Sequence, residues 1–532
     1  MHLCRFERRC RLLFEIHQLK QGKYMNTDLF LILENGRAVD SGKLGCVEFN
    51  TFRSAVVSAV KSGNRVLDLF AEKKSDSSIH RLICILGDPV NRCFKLLSTE
   101  VGSSYPALSA DCGSFRWFER DIAERTGIIP VGHSNLKPIR FIRNNGSHPD
   151  AWNRTEILPG DAVCKELGGS SVHEVAVGPV HAGVIEPGHF RFQCFGEEVH
   201  RLEIFLGYQH RGLEKKICSS DPAVALKFIE TACGDSSCAA AWCFSQLVES
   251  LAGGVDVPAA GSALRIISTA LERIANNTGT LGALAGDVAF LPTSSFCGRI
   301  RGEYLNMTAE LAGNRFGRNY VVPGGVSMGA DAKICRRILE KMKVVDRELV
   351  HALDLMFDTP GVLDRFENLG AVSKEDAVFF GITGAAGRAC GLKCDARHDF
   401  PPASGSIEPY LPESEFNGSV LARAGIYRHE AISAALEVRD ILESGIDLGR
   451  NFCVRTPECL PGMTAVSVVE GWRGEIMQYA STDENGRIKS FRFIDPSFHN
   501  WRALELAMRG TQISDFPICN KSFNLSYCGV DL

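Results

Sequence analysis

Apolar residues along the 532-residue chain repeat with two different periods, and the change between them divides the molecule. From residue 27 to about 140 the periods alternate. Leu29 to Leu33 and Arg81 to Leu86 read as strands, and Phe52 to Lys61 reads as a helix. Between 143 and 170 the pattern lapses into Asn144, Asn145, Gly146, Pro149, Pro159, Gly160, Gly168 and Gly169, the composition of a linker. Beyond it, His189 to Cys194 alternates Phe190 and Phe192 with Arg191 and Gln193. A turn over Phe195 to Glu198 and a second strand through Ile204 then predict a hairpin. Asp221 and Pro222 supply an N-cap and a first-turn proline for a helix predicted to run towards Leu251, with Cys233 near its middle. Steps of three and four from Leu264 to Val288 and from Ile334 to Met356 predict long amphipathic helices, as does the stretch from Val420 to Leu442. The tail from Arg473 onward reads as strand-like and irregular. The pattern predicts an α+β fold: an extension over 1–26, a small mixed domain over 27–145, a linker over 146–170, and a mainly helical domain over 171–532 with a bundle core and hairpin appendages.

Charge narrows the function classes. Lys and Arg total 59 against 63 Asp and Glu, a net charge of −4, so the chain lacks the basic excess of a sequence-independent nucleic-acid binder. No uninterrupted apolar run approaches the ~18 residues of a membrane span. The first 25 residues carry Arg5, Arg8, Arg9, Arg11 and Lys20, which excludes a secretory core, and Met25 is a candidate start. The unusual count is 20 cysteines. None stands in C-x-x-C spacing, the arrangement by which two thiolates of one turn converge on a metal. Cys390 and Cys394 could chelate if helical, but scattered core thiols in a reducing compartment account for the set.

Chemistry is densest in Gly178-Pro179-Val180-His181, in Glu186-Pro187-Gly188-His189-Phe190-Arg191, and in His210-Arg211-Gly212. Histidines interleaved with Glu and Arg can form a proton-handling cleft, or a network that satisfies buried polar groups at strand ends. Arg265, Glu272 and Arg273 are expected to pair across the bundle, while Asp287 and Arg388 are further polar candidates. No strand-linked G-x-G-x-x-G or G-x-x-x-x-G-K-[ST] occurs, so direct binding of a dinucleotide or ATP is not expected.

The same stretches resemble a family. With Gly279-Thr280-Leu281-Gly282, Val322-Pro323-Gly324-Gly325, Gly384-Ala385-Ala386-Gly387-Arg388, Trp472-Arg473-Gly474-Glu475 and Asp515-Phe516-Pro517, they are similar to the large subunit of energy-converting nickel-iron hydrogenases of the formate-hydrogenlyase type. That subunit is homologous to the quinone-proximal large subunit of respiratory complex I. Upstream, Tyr105-Pro106, Trp117-Phe118-Glu119-Arg120-Asp121 and Leu136-Lys137-Pro138 resemble the smaller complex I subunit that docks beside it, so the chain looks like a fusion of the two.

The resemblance implies a peripheral subunit on the cytoplasmic face of a membrane. It would take electrons from a small iron-sulfur subunit and couple redox chemistry to ion movement by antiporter-like membrane partners, with any NADH oxidised elsewhere. It places catalytic chemistry at His181, Glu186, His189, Arg191, Cys233 and Asp235, with His210, Arg211 and Arg388 towards a cofactor. A nickel-iron centre needs two C-x-x-C pairs. The matching places read Cys233-Gly234-Asp235-Ser236 and Ser526-Tyr527-Cys528, so Cys233, Ser236, Ser526 and Cys528 are degenerate positions with two thiols for four, and that centre is not expected. Cys238 is two residues late, turned by ~200° on a helix. A quinone, with His181 and His189 as headgroup donors, is the cofactor left open, although the tyrosine that complex I pairs with it has no counterpart. The alternatives are a nickel-iron hydrogenase with unorthodox ligands and a non-catalytic assembly scaffold.

Overall fold

The three strands β4 (Arg65–Lys73), β5 (His80–Asp88) and β6 (Cys93–Val101) are buried along most of their length rather than on alternate residues, which means both faces of their sheet are covered. This computed structural model describes residues 29–74, 78–141, 150–154, 167–169, 171–183, 185–218, 220–401 and 417–532. The antiparallel order is β1 (Leu31–Leu33), β6, β5, β4, with β3 (Cys46–Val47) parallel to β6. Helix α1 (Phe49–Lys61), capped by the Glu48 side chain on the N–H groups of Asn50 and Thr51, inserts Phe52 and Val56 into the core. Helix α2 (Arg116–Thr126) ends on Gly127 in the left-handed conformation, where glycine carries no Cβ penalty. A short parallel pair, β7 (Ser104–Pro106) and β8 (Ile129–Val131), flanks it.

The opposite face of this sheet is an internal joint. Phe70 and Phe94 project from it onto Tyr479 and Phe400, each pair with ring centroids 5.0 Å apart. Arg65 reaches Asp399 and Glu475 at 2.5 and 2.6 Å, and Asp68 meets Arg492 at 3.0 Å. Arg492 also reaches Asp121 of α2 at 3.1 Å and Glu214 at 3.5 Å. Strand β2 (Ala38–Asp40) crosses the joint altogether. It pairs with β14 (Met463–Glu470), with Val39 opposite Thr464, and extends a sheet completed by β15 (Glu475–Thr482) and β16 (Ile488–Ile494). Of the segment expected to link the two modules, 146–170, only 150–154 and 167–169 are among the described residues.

The hairpin is present as β10 (His189–Phe195) and β11 (Glu198–Phe205), with β9 (Val172–Val177) as a third strand. Short α3 (Leu213–Cys218) follows. The single helix expected from Asp221 to Leu251 is two: α4 (Pro222–Ile229) and α5 (Ser237–Leu251). Asp221 and Pro222 do open α4, although the Asp221 side chain makes no cap bond. The break falls at residues 230–236, where the Ser236 N–H donates to Cys233 O at 3.0 Å in a turn around Gly234, so Cys233 sits in a loop. Every residue of α5 is buried, as suits a helix apolar on most sides.

Long helices form the bundle: α6 (Ala259–Asp287), α7 (Leu291–Ala312), α8 (Ala332–Phe357) and, after four short turns α9 (Pro360–Phe366), α10 (Lys374–Phe380), α11 (Gly384–Ala389) and α12 (Ala396–Asp399), α13 (Val420–Glu443). A two-residue pair, β12 (Val321–Val322) and β13 (Gly325–Val326), lies between α7 and α8. Asp331 and Ser419 cap α8 and α13 on Ile334 N and Ala422 N. Cys390 follows the end of α11 and Cys394 lies beyond it, so the helical chelate does not form. The tail is also not mainly strand: after β16 come α14 (Pro496–Ala507), α15 (Phe516–Phe523) and α16 (Cys528–Asp531). Asp495 opens α14 by accepting from Ser497 N at 2.8 Å, a cap that the preceding strand pattern conceals. No helix among the described residues is long and apolar enough to cross a membrane.

Candidate functional site

The turn between α4 and α5 sets Cys233 on the inner side of a loop whose Gly234 tip is exposed. Three distant segments close on that thiol. Asp235 follows in the same turn and brings Oδ1 to 3.0 Å from Cys233 Sγ. Arg473, after β14, donates from Nη1 and Nη2 to the two Asp235 oxygens at 2.6 and 2.8 Å and places Nη1 3.3 Å from the sulfur. The terminal segment contributes Ser526, whose Oγ lies 3.1 Å from Cys233 Sγ and 3.5 Å from Cys528 Sγ. Arg473 Nε holds that segment in place through Asn524 O at 2.5 Å.

Glu186 reaches in from the loop ahead of the hairpin. One of its oxygens accepts from Tyr527 N and Cys528 N at 2.9 and 2.8 Å, and the other lies 3.6 Å from Cys528 Sγ. The first turn of α16 thus rests on a carboxylate, which suits the exposed N–H groups of a helix start. The approach is close: a Cβ on Gly188 would sit 2.4 Å from the Tyr527 ring. Below, Asp531 accepts from Gly207 N and Gln209 N at 2.6 and 2.9 Å, and the N–H groups of Arg211 and Gly212 donate to Leu532 O at 2.8 and 3.0 Å.

Electrostatics separate these carboxyls. Burial alone would raise Asp235, but the Arg473 guanidinium overrides it and holds the acid at about 2. Glu186 is pushed up by burial, against the N–H group of Cys528. Burial raises Asp495, whose Oδ2 has no hydrogen-bond partner among the described residues. A Cβ on Gly529 would meet that carboxylate and Ser526 Oγ, each at 2.9 Å.

Beyond Asp235 a narrow cleft with a volume of about 20 Å³ opens between α5, α6 and α7, lined by Asp235, Glu272, Asn276, Arg301, Arg315 and Phe316. Glu272 accepts from Cys238 N and Ala239 N at 2.7 and 3.2 Å, capping α5 from a neighbouring helix. Burial raises it to about 8 despite those two donors. The unfolded chain gives up this proton near 4.5 and the folded chain near 8, so folding takes up a proton across that window and stability falls as pH rises through it. Glu272→Gln removes this slope: its melting temperature relative to the parent rises from pH 4.5 to about 8. A constant difference in a pH series of thermal melts would count against the assignment.

Of the residues singled out from the sequence, Glu186, Cys233, Asp235, Ser526 and Cys528 meet in this one cluster. Ser236 joins through its backbone. His210 and Arg211 flank it, with His210 Nδ1 2.8 Å from Asp531 O and Arg211 Nη2 donating to Ala232 O at 3.4 Å. His181 and His189 bond within their own loop, to Gly188 O at 2.9 Å and Gly178 O at 3.4 Å. His189 is lowered by burial, and its Nε2 is buried without a partner among the described residues. Arg191 lies on the hairpin and pairs with Glu174. Arg388 is sealed against Glu470, Glu430 and Asp395 at 2.9, 3.3 and 3.6 Å, a buried ion network rather than a cofactor contact. Arg265 and Arg273 pair structurally with Glu249 and Glu430 at 2.5 and 3.5 Å. Cys238 turns away, its Sγ 3.8 Å from Phe316 O. Arg473 and Asp495 have no role legible along the chain, since both stand more than 230 residues from the thiol they serve.

The donor set does not fit a nickel-iron centre. Two thiols stand where four are needed. Spacing of C-x-x-C counted from Ser526 arrives at Gly529, which has no side chain. A guanidinium stands 3.3 Å from Cys233 Sγ. Among the described residues no three His, Cys, Asp or Glu side chains are placed to hold a metal ion.

Residues 287–431 and 424–532 match the family described as respiratory-chain NADH dehydrogenase, 49 Kd subunit. The chain is 26% identical over 470 residues to formate hydrogenlyase subunit 5 of Escherichia coli, covering 83% of this chain and 79% of that one. It is 25% identical over 435 residues to the NADH-quinone oxidoreductase C/D subunit of Bacteroides thetaiotaomicron, covering 75% and 80%. In fold it is similar to a chain of the membrane-bound sulfane sulfur reductase, an archaeal respiratory membrane complex. That likeness has a TM-score of 0.61 and 22% identity, over 68% of this chain and 99% of that one.

Proposed function

We propose, from the match of residues 287–431 and 424–532 to the respiratory-chain NADH dehydrogenase 49 Kd subunit family, that the chain is the redox subunit of a membrane-associated oxidoreductase complex. In this reading it sits peripherally on the cytoplasmic face of the membrane. It receives electrons from an iron-sulfur cluster in a small partner protein, and antiporter-like membrane proteins link the transfer to ion movement. It works without a nickel-iron centre, and its acceptor is a quinone whose headgroup hydrogen-bonds to His189. The observation that carries the reading is the convergence of the hairpin loop, the Cys233 turn and the terminal segment on one buried polar cluster, with Glu186, Asp235 and Arg473 around two thiols. The unpartnered His189 Nε2 supports the choice of acceptor, because a buried imidazole nitrogen left unbonded carries a desolvation cost that a ligand would relieve.

The test is quinone-dependent turnover of the purified complex carrying Glu186→Gln and His189→Ala together, beside metal analysis of the parent. Turnover is expected to fall at least ~30-fold, about 2 kcal/mol in the barrier, with all subunits still present and nickel absent. Unchanged turnover in an intact complex would make the chain a scaffold. Nickel at one atom per chain, with hydrogen uptake, would make it a hydrogenase.

A further inference from the structure

Most cysteine sulfurs that make a hydrogen bond here use main-chain carbonyls. Cys243 Sγ lies 3.2 Å from Ser467 O, Cys335 Sγ 3.6 Å from Ala330 O, and Cys394 Sγ 3.8 Å from Gly384 O. These are the contacts of packed core thiols. Cys233 and Cys528 differ. Ser526 Oγ stands between them at 3.1 and 3.5 Å, and the neighbouring Cys528 thiol, together with burial, pushes the Cys233 thiol well up. Each sulfur also has its own carboxylate, Asp235 at 3.0 Å and Glu186 at 3.6 Å. Cys233 is fully buried, whereas Cys528 and Asp235 keep partial exposure, so one thiol is open to a reaction partner and the other is shielded behind it.

The two thiols belong to segments 295 positions apart in sequence, brought together only by the fold. Both segments are held by bonds that do not involve the sulfurs: Arg473 to both Asp235 oxygens in the Cys233 turn, and, for the terminal segment, Arg473 to Asn524 O, Glu186 to the N–H groups of Tyr527 and Cys528, and Ser526 N to Ser497 Oγ at 2.8 Å. A thiol pair so placed needs only a local approach to reach the ~2.05 Å of an S–S bond. Among the described residues no third thiol or histidine joins them to capture a metal.

We propose that Cys233 and Cys528 form a redox-active dithiol that carries two electrons and two protons. In the oxidised form the two sulfurs share an S–S bond. Two electrons from the iron-sulfur cluster of a partner protein and two protons from solvent at the Asp235 and Glu186 opening break that bond and form two S–H groups. The dithiol then gives both hydrogens to a quinone, which leaves as quinol while the S–S bond re-forms. Cys528 is the outer thiol and Cys233 the resolving one. Ser526 lies between the two and aligns them. The direction of electron flow rests on the function proposed above, whereas the existence of the couple rests on the geometry alone.

The decisive measurement uses the intact complex without substitution. It is equilibrated in dithiothreitol buffers of stepped potential, quenched in acid, alkylated after unfolding and mapped by mass spectrometry. Cys233 and Cys528 should lose alkylation together in one two-electron transition, yielding a linked peptide that dithiothreitol resolves. In Cys528→Ser, Cys233 should stay alkylated at every potential, and turnover should fall at least tenfold. Full alkylation of both residues in the most oxidising buffer, or a link from either one to a different cysteine, would overturn the dithiol. A pair that cycles in a complex without quinone-dependent turnover would leave the dithiol standing and overturn the proposed acceptor.

Discussion

Arg492→Met is expected to destabilise the protein by about 3–5 kcal/mol, the usual loss when one partner of a buried ion network is removed. Arg492 is the cation that Asp68 meets, and it also reaches Asp121 and Glu214. Asp121 keeps Arg125 and Arg140, at 2.9 and 2.7 Å, and Glu214 keeps Arg125. Asp68, fully buried on the sheet face that docks against the large module, would be left without a cation beside the carboxylates of Asp121 and Glu214. Burial already holds its carboxyl above the ordinary value with Arg492 present, so the variant is expected to take up a proton on folding and to weaken further as pH rises. Denaturant unfolding should show the midpoint falling. Because the defect lies at the joint, the small module is expected to gain protease sensitivity first. The double variant Arg492→Met with Asp68→Leu should recover most of the loss, since a buried ion pair can be exchanged for matched apolar side chains at little cost. An unaltered midpoint in the single variant would mean that the joint is held by Phe70, Phe94 and the β2 strand instead.

Arg473→Met is expected to have the largest effect on activity, a fall of about a hundredfold, or ~2.7 kcal/mol. This guanidinium ties the Cys233 turn to the terminal segment. It neutralises Asp235, stands beside Cys233 Sγ, holds Asn524 O and stacks on Trp472 at 3.9 Å. Methionine conserves much of the stem volume but none of the donors. The terminal segment would lose its tie to the Cys233 turn, and Asp235 would no longer be held low. Arg473→Lys should recover only part of the rate, because a single ammonium cannot bond both Asp235 oxygens and Asn524 O in the same geometry. The readout is acceptor-dependent turnover per intact complex, with subunit content measured alongside. Near-parental turnover in either variant would remove Arg473, and with it the cluster around Cys233, from the chemistry.

Local pattern and tertiary contact carry different information about this chain. Period and caps sufficed to read α6, α8 and α13 within a few residues, and the alternation of Phe190 and Phe192 sufficed for the hairpin, because such patterns record burial along a single element. The same logic failed over 222–251. A run of small and apolar residues on both sides of Cys233-Gly234-Asp235 looks continuous, and only the packing of α5 against Glu272 shows that the helix begins again after the turn. It failed again after residue 494, where the cap at Asp495 lies hidden behind a strand.

By itself, the sequence determined the α+β class, the resemblance to subunits of redox complexes, and the presence of two thiols, Cys233 and Cys528, where that resemblance leads one to look for four, since each depends on residue identity and spacing along the chain. Only the tertiary structure decided which residues form the site. It drew Glu186, Cys233, Arg473, Asp495 and Ser526 together across more than 300 positions, and it sent Arg191 and Arg388 to ion pairs elsewhere. The physical reason is that hydrogen bonds and charge pairs are set by distance in space, whereas periodicity reports only neighbours within one strand or helix.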